Sequence, residues 1–243
     1  MKKAIGYVYV IAAAVCWGFL GLFNRVLTAA GVSLLNMMPL RFGGTAILFT
    51  VFCMMFKQQV FHIKLRHLPI FLGSGLISML LVLCGCALVS GIVGSDVGIS
   101  LEGLLMGLAS ELCYGGYTIF THYGMRYCDS FTMAYWTFLI AGIASLFLAD
   151  GPALLSALAE PRTVLAALGL MVMGTALPFT LYTKGLETVE SGKAAIIANI
   201  EPVMSAVIGV TVFQETLGLW TLVGIVLVLA GVVVLACEKE PDK

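Results

Sequence analysis

An apolar segment with a carboxylate at its centre, Ser191–Glu215, reads SGKAAIIANIEPVMSAVIGVTVFQE. It is long enough to cross a bilayer, yet Glu201 and Pro202 lie in its middle. A carboxylate at mid-membrane costs about 2.5–3.5 kcal/mol on insertion scales, so we expect Glu201 to face a polar interior, a partner group or water. Pro202 has no N–H and leaves the Ala198 carbonyl without its helical donor, which predicts a kink beside the polar Asn199.

A polar break at this depth is typical of the substrate sites of secondary transporters, which are built on interrupted helices near the midplane. The alternative is a packing kink in which a neutral Glu201 is hydrogen-bonded to a neighbouring helix. The sequence of this segment therefore suggests a transport function without requiring one.

The composition of the whole chain is that of a helical membrane protein. Of its 243 residues, 60% are hydrophobic and 11% are charged, and the mean hydropathy is +1.06. Soluble domains do not have this balance. The net charge is zero, which gives no support for a nucleic-acid partner. The seven cysteines lack the spacing of metal ligands, so we predict apolar packing roles for them and neither a metal nor a cofactor.

Hydropathy predicts an all-α polytopic membrane protein with eight transmembrane helices. Each apolar run reaches, or nearly reaches, the ~20 residues that cross the hydrocarbon core. The predicted ranges are 4–23, 35–56, 68–93, 99–121, 131–149, 163–183, 191–213 and 217–237.

The distribution of lysine and arginine predicts the orientation of these helices. An even number of spans places both termini on one side. If that side is the cytoplasm, ten of the thirteen basic residues lie inside and only Arg25, Arg41 and Arg162 lie outside. This agrees with the positive-inside rule. We therefore expect a multi-pass protein of a bacterial-type plasma (inner) membrane, with the lipid bilayer as a partner and both termini cytoplasmic.

Short matches between the two halves of the chain predict an internal repeat. Cys16-Trp17-Gly18 matches Cys113-Tyr114-Gly115 at an offset of 97, whereas Leu81–Gly85 matches Leu227–Gly231 at an offset of 146. The larger offset indicates that about 50 residues of the second half have no counterpart in the first. We interpret residues 1–95 as a shortened first repeat of three helices. Residues 96–243 would then be a complete second repeat of five helices with a short charged tail.

The 3+5 arrangement would derive from a ten-helix (5+5) fold. A repeat with an odd number of spans places its two copies in opposite orientations, as in inverted-repeat transporters.

These segments resemble the EamA-type members of the drug/metabolite transporter superfamily, which have ten helices in two repeats. The resemblance rests on Ala13–Gly18, Pro39–Phe42, Cys113–Tyr117, Leu177–Tyr182, the block Ala195–Glu215, and Leu219–Gly224 with Leu229–Gly231. It implies a carrier whose small organic substrates, such as amino acids, nucleosides or drugs, cross a cavity between the repeats. The first half departs from the family pattern by an internal deletion of about 50 residues.

Several polar and aromatic side chains are candidates for a substrate site. Trp17 and Asn24 share a helical face at i and i+7, although they are equally consistent with a packing aromatic and an interfacial cap. Arg41 is a candidate partner for Glu102, Glu201 or a substrate carboxylate, and the alternative is snorkelling to the headgroups. The remaining candidates are Glu111, Tyr114, Tyr117, Asn199 and Glu201.

Pro178 and Pro202 are the predicted hinge or kink residues, and Glu215 is predicted to be a solvated loop charge.

Three functions remain open at this point. The first is a secondary carrier of small organic solutes that works by alternating access, with Glu201 and Glu111 as candidate proton carriers. The second is a truncated, non-transporting membrane protein that is inactive or needs a partner chain, such as a second copy in a homodimer. The third, an intramembrane enzyme, is disfavoured because the three histidines lie at or beyond helix ends and no H-E-x-x-H occurs.

Overall fold

The structure is a computed structural model that describes residues 2–61, 63, 65–89 and 101–237, without several side chains within helices, including those of Glu102 and Glu111. All regular elements of this part are helical. The α-helices are α1 (Lys2–Gly18), α2 (Leu20–Ala29), α3 (Leu34–Met38), α4 (Gly44–Phe56), α5 (Leu68–Val89), α6 (Leu101–Gly124), α7 (Ser130–Leu146), α8 (Gly151–Ala157), α9 (Pro161–Met171), α10 (Leu177–Gly185), α11 (Ser191–Ala198), α12 (Ile200–Phe213) and α13 (Leu219–Cys237).

Four segments of the described chain are long and apolar enough to cross a membrane: Ala4–Ala29, Leu35–Phe56, Pro161–Gly185 and Ser191–Phe213. The count rises to five if α7 and α8 form one span, although they are bent by 110°. The predicted third, fourth and eighth spans coincide largely with α5, α6 and α13. The chain is thus an all-helical, multi-pass membrane protein, as predicted. The count of eight crossings stays a prediction, and the predicted junction between the two repeats, at residues 95 and 96, lies outside the described residues.

Helix α1 packs closely against the second half of the chain because glycines let its neighbours approach. It packs against α10 and α12. A Cβ atom built on Gly6 would lie 2.1 Å from the Thr188 hydroxyl, and one built on Gly18 would lie 2.4 Å from the Cβ of Met204. Small residues at such crossings allow the close packing that holds helices together in lipid. The apolar face of α1 is therefore fixed against the second half of the chain.

Two of the spans each contain one turn of π-helix. The first is Pro39–Gly43, between α3 and α4, and the second is Val172–Ala176, between α9 and α10. Pro39 starts the first turn, and Pro178 follows the second by two residues. Proline cannot donate a helical hydrogen bond, and a π turn accommodates the resulting irregularity without ending the helix.

The segment Ser191–Phe213 is broken at Asn199. Helix α11 ends at Ala198 and α12 begins at Ile200, with Asn199 at φ −64° and ψ 0° between them. Pro202 is then the third residue of α12, a position whose N–H would have no intrahelical acceptor in any case. The chain therefore starts a new helix here, close to the position at which the proline predicts a kink.

Three buried hydroxyls tie α5, α6 and α7 together. Ser74 Oγ lies 2.8 Å from Thr137 Oγ1 and 3.4 Å from Thr121 Oγ1, and all three residues are buried. One turn later, Ser78 Oγ donates to the Ser74 carbonyl at 2.9 Å. Hydroxyls buried among apolar helices need such partners, so these bonds fix how the first half of α5 sits against its neighbours.

Ion pairs join the two halves of the chain at both ends of the bundle. Arg25 pairs with Glu215, and its guanidinium lies 4.4 Å from the centroid of the Phe213 ring. Lys57 Nζ lies 2.7 Å from Asp129 Oδ2. Each pair joins residues that are predicted to lie on the same side of the membrane. Glu215 is exposed in the loop after α12, as predicted, and it is also paired with Arg25.

Candidate functional site

The candidate site is built on aromatic side chains around Trp17, the penultimate residue of α1. The centroid of the Trp17 ring lies 5.0 Å from that of Phe179, 5.3 Å from that of Tyr182 and 6.3 Å from that of Tyr114. The Tyr117 ring contacts Phe179 at 5.4 Å. We call these five residues the aromatic cluster. It joins α1, α6 and α10, so it spans the first and second halves of the chain.

The polar atoms of this cluster are unusual because three of them lack a hydrogen-bond partner. Among the described residues, four buried side-chain polar atoms have none: Trp17 Nε1, the hydroxyls of Tyr114 and Tyr117, and Thr163 Oγ1. The Tyr117 hydroxyl lies beside the hydroxyls of Thr121 and Thr183, and the Tyr114 hydroxyl lies beside that of Tyr182, but none of these pairs has hydrogen-bonding geometry. Buried polar groups are normally satisfied, and an unsatisfied one costs about 1–3 kcal/mol. Such a concentration of unused donors is typical of a site that binds something.

Glu201 adds a carboxylate to the edge of the cluster. It is half-buried in the first turn of α12 and acts electrostatically on the Tyr114 hydroxyl. The unpaired N–H groups at a helix N-terminus favour a negative charge nearby. The break at Asn199 therefore creates a helix start that stabilises Glu201 within the bundle.

Arg41 makes a contact that the sequence did not predict. It lies half-buried in the first π turn and donates from Nε to Thr175 Oγ1 in the second π turn at 3.1 Å. Thr45 Oγ1 donates to the Met171 carbonyl at 3.2 Å, which is a second link between the same two spans. Arg41 thus joins two irregular turns, and it contacts Phe42 rather than a ring of the aromatic cluster.

The remaining predicted residues do not belong to the aromatic cluster. Asn24 is half-buried in α2, beyond a turn at Phe19 that separates it from Trp17. Asn199 is exposed, and its amide donates to the Ala195 carbonyl at 3.4 Å. Pro202 is exposed, and Pro178 is buried. The Glu102 and Glu111 side chains lie outside the described residues.

Phe179 and Tyr182 belong to the site although they were not among the predicted residues. Tyr182 is fully buried, and its hydroxyl lies 3.2 Å from Thr118 Oγ1. Phe179 also contacts Phe138 on α7, at 5.0 Å. Both follow Pro178 within one or two turns, so the signal available in the sequence was the aromatic run after an intramembrane proline.

Chemically, this arrangement suits a small organic molecule rather than a metal. Aromatic faces bind flat or cationic groups, and the indole N–H and phenol O–H groups donate to ligand acceptors. Sites with apolar walls and a few convergent polar groups are typical of small-molecule binding. In this conformation the cluster is closed, since Trp17 is 3% exposed and Tyr117 is 0% exposed. A ligand can enter only if the helices that carry these rings separate.

Comparison with known proteins identifies a family and several relatives. The profile of the EamA-like transporter family matches residues 101–237. An uncharacterized transporter of Archaeoglobus fulgidus is 43% identical over 68 residues, which are 28% of this chain and 25% of the relative. The uncharacterized transporter YwfM of Bacillus subtilis is 26% identical over 174 residues, 70% of this chain and 57% of the relative.

A third relative, the uncharacterized inner membrane transporter YicL of Salmonella typhimurium, is 26% identical over 148 residues, 60% of this chain and 48% of the relative. The chain therefore matches between 25% and 57% of the length of these curated relatives.

Proposed function

Since the chain belongs to the EamA-like transporter family, as the resemblance of its motifs predicted, we propose that it is a secondary carrier of small organic metabolites or drugs. It would work by alternating access around a site near the midplane of the membrane. Amino-acid-like, nucleoside-like and xenobiotic molecules are the substrate classes that we propose. The Salmonella relative is named as an inner membrane transporter, which supports an inner membrane location for this chain. The positive-inside pattern supports cytoplasmic termini.

The observation that carries this proposal is the unused hydrogen-bonding capacity of the aromatic cluster. Trp17 Nε1 and the Tyr114 hydroxyl have no hydrogen-bond partner among the described residues, and Glu201 is close enough to Tyr114 to act on it electrostatically. A solute that accepts hydrogen bonds from Trp17 and Tyr114 while its apolar part stacks on Phe179 would satisfy both of these donors. Binding would then relieve the cost of burying unsatisfied donors.

Coupling to a proton gradient is part of the proposal. Glu201 is the described carboxylate next to the cluster, and Glu111 precedes Tyr114 by one turn of α6. A carboxylate that is protonated on one side of the membrane and ionised on the other would link proton movement to solute movement. We propose binding roles for the groups of the cluster and no catalytic residue.

The experiment is solute flux in proteoliposomes that contain the purified chain. A panel of amino acids, nucleosides and cationic drugs would be tested with and without a pH gradient. We expect Tyr114→Phe and Trp17→Phe to lower flux of the transported solute by roughly tenfold each, since each removes one hydrogen bond to the ligand. Tyr114→Phe keeps the ring, whereas Trp17→Phe leaves a smaller one.

The matched control is Tyr135→Phe, which removes a hydroxyl from a buried aromatic outside the cluster. The Tyr135 hydroxyl lies 3.3 Å from Thr50 Oγ1, so its removal tests loss of a phenol group in general. Equal flux from Tyr114→Phe and Tyr135→Phe would place the substrate elsewhere. Absence of flux from the unaltered chain with every solute would count against the carrier function itself.

A second candidate function is a chain that transports only as part of a homodimer or with another partner. Two observations favour it. The chain matches at most 57% of the curated relatives, and 22% of the apolar window of Ser191–Phe213 is buried, against 39% in each of the other three spans. A second copy of the chain could cover the exposed face of α11 and α12.

Flux from single copies and from crosslinked dimers separates these possibilities. The homodimer proposal predicts flux from crosslinked pairs and none from vesicles that contain one copy. Full flux from single copies would show that the chain is complete as a carrier. If neither preparation transports any solute of the panel, the non-transporting alternative would be favoured.

A further inference from the structure

A charged cavity lies away from the aromatic cluster, between the start of α5 and the loop that joins α6 to α7. Its volume is about 490 Å³. His67 and Phe71 line one side, and Arg126, Tyr127 and Asp129 line the other. This volume falls within the range of small-molecule sites, roughly 300–1,000 Å³. Neither the family match nor the proposed carrier function assigns a role to this cavity.

The negative charge in the cavity is already compensated. Asp129 accepts hydrogen bonds from Lys57 Nζ at 2.7 Å and from the Thr132 hydroxyl. Burial tends to raise the pKa of the Asp129 carboxyl, but the two hydrogen bonds outweigh it and leave the pKa below its usual value. Asp129 is therefore ionised at neutral pH and bound to Lys57. It adds little net charge to the cavity.

Arg126 in the cavity wall and Arg66 beside the cavity, by contrast, have no carboxylate partner in the described part of the chain. Neither Arg126 nor Arg66 forms an ion pair there, and Arg66 acts electrostatically on Tyr127. The guanidinium of Arg126 lies 5.4 Å from the centroid of the Tyr123 ring. The His67 ring lies 4.4 Å from the Tyr127 ring.

These aromatic rings lie against Arg126 and His67. The hydroxyls of Tyr123 and Tyr127 are 2.9 Å apart, which links the ring beneath Arg126 to the ring beside His67. Ring contacts of this kind reduce the side-chain freedom of the guanidinium and the imidazole, which lowers the entropic cost of binding an anion.

We propose that this cavity binds a phosphate group, with Arg126 as its main ligand and Arg66 and His67 beside it. A guanidinium binds phosphate through two parallel hydrogen bonds, which are stronger than those between neutral groups. The phosphate could belong to the headgroup of an anionic phospholipid or to a soluble phosphate. Lys57, Arg66 and Arg126 lie on the side predicted to be cytoplasmic, where anionic headgroups attract basic clusters. This inference does not depend on the carrier function.

The test compares variants of the full chain that differ by one arginine. Arg126→Gln removes the main phosphate ligand. Arg162→Gln is the matched control, because it removes the same charge from an exposed position in the first turn of α9. Thermal unfolding of both variants would confirm that they fold. In one arm, the chain is reconstituted in vesicles of equal phosphatidylglycerol and phosphatidylcholine, extracted, and examined by native mass spectrometry for retained lipid.

In the other arm, binding of radiolabelled inorganic phosphate to detergent-purified chain is measured by equilibrium dialysis. We expect Arg126→Gln to lower binding roughly tenfold in one of the two arms, and Arg162→Gln to leave it unchanged. Loss of retained phosphatidylglycerol alone identifies a lipid headgroup as the ligand. Loss of phosphate binding identifies a soluble phosphate. Equal binding by the two variants in both arms would overturn the proposal.

Discussion

The aromatic cluster and the broken helix meet at Tyr114 and Glu201, but they are built in opposite ways. In the cluster, Trp17, Tyr117 and Tyr182 are buried and held by contacts between rings. In the broken segment, Asn199 and Pro202 are exposed and the backbone itself is interrupted. The first region derives its shape from side-chain volume, whereas the second derives it from backbone chemistry.

Because of this difference, we expect substitutions in the aromatic cluster to affect stability and substitutions in the broken helix to affect transport activity. A buried aromatic ring contributes to folding through its volume, so its loss leaves a cavity. A carboxylate at a helix start contributes mainly through its charge, which an isosteric amide removes without changing the packing. Substitutions in the two regions should therefore affect different measurements, and the size of each effect should reveal whether this division holds.

The largest effect is expected from Trp17→Ala. Trp17 contacts three aromatic rings on two other helices. Its truncation should lower the free energy of unfolding by about 3–5 kcal/mol, the usual range for a buried tryptophan. Equilibrium unfolding in mixed micelles measures this loss. Pro202→Ala, at an exposed position, is the control and should change the free energy by less than ~1 kcal/mol. Similar losses for both variants would contradict the expectation that the cluster contributes more to stability than the broken helix.

The next largest effect is expected where α1 meets α12. A Cβ at Gly18 would lie 2.4 Å from the Cβ of Met204, so Gly18→Leu must push the two helices apart. We expect a loss of about 1–3 kcal/mol in the free energy of unfolding, as for other overpacked sites. Gly18→Ala tests the same clash with a single methyl group, and Gly21→Ala is its matched control, because a Cβ at Gly21 would lie at an ordinary 3.5 Å from Ser205 Oγ. A tolerated Gly18→Leu would mean that α1 and α12 are not held together at this crossing.

Glu201→Gln is expected to have a smaller effect, and this effect should be on transport activity and not on stability. The amide keeps the shape of the side chain and loses its charge. Proton-coupled flux should fall roughly tenfold, equivalent to about 1.4 kcal/mol, while the unfolding temperature stays nearly unchanged. Flux with and without a pH gradient, measured beside thermal unfolding, checks both parts. Normal coupled flux would exclude Glu201 from the mechanism.

The smallest effect is expected outside both regions, at Asp129. Because its pKa is lowered in the folded chain, the stabilisation from Asp129 is present above the usual value of 3.8 and is lost as the pH falls below it. Asp129 is half exposed, so the contribution is small. The unfolding temperature of the wild-type chain should exceed that of Asp129→Asn slightly at neutral pH, and the difference should shrink as the pH falls through the lowered pKa of Asp129. A difference that grows as the pH falls would contradict this assignment.

The sequence predicted the class of the fold because lipid imposes strong requirements on composition. Long apolar runs without strand patterning can satisfy their backbone in a membrane only as helices. The break near Glu201 was also predictable, since Pro202 excludes a regular helix at Ala198 wherever the segment lies in the fold. These are local properties, and they do not depend on neighbouring helices.

The partners across helices were not predictable in the same way. Hydropathy identifies which residues are in the membrane, but the rotation of each helix decides which of them meet. Tyr182 faces Trp17, and Arg41 faces Thr175, because α9, α10 and the π turn between them set that rotation. A π turn depends on tertiary packing as much as on proline, so the sequence alone gave no reason to expect one at Val172–Ala176.

The hydroxyl contacts of Ser74 bear on how this chain relates to its longer relatives. They anchor α5 up to Ser78, one residue before the point at which the shortened repeat would have lost about 50 residues. Additional crossings inserted after Met79 would leave the anchored part of α5 in place against α6 and α7. The bundle could therefore gain or lose a helical hairpin at this position during evolution without rearranging the helices already assembled.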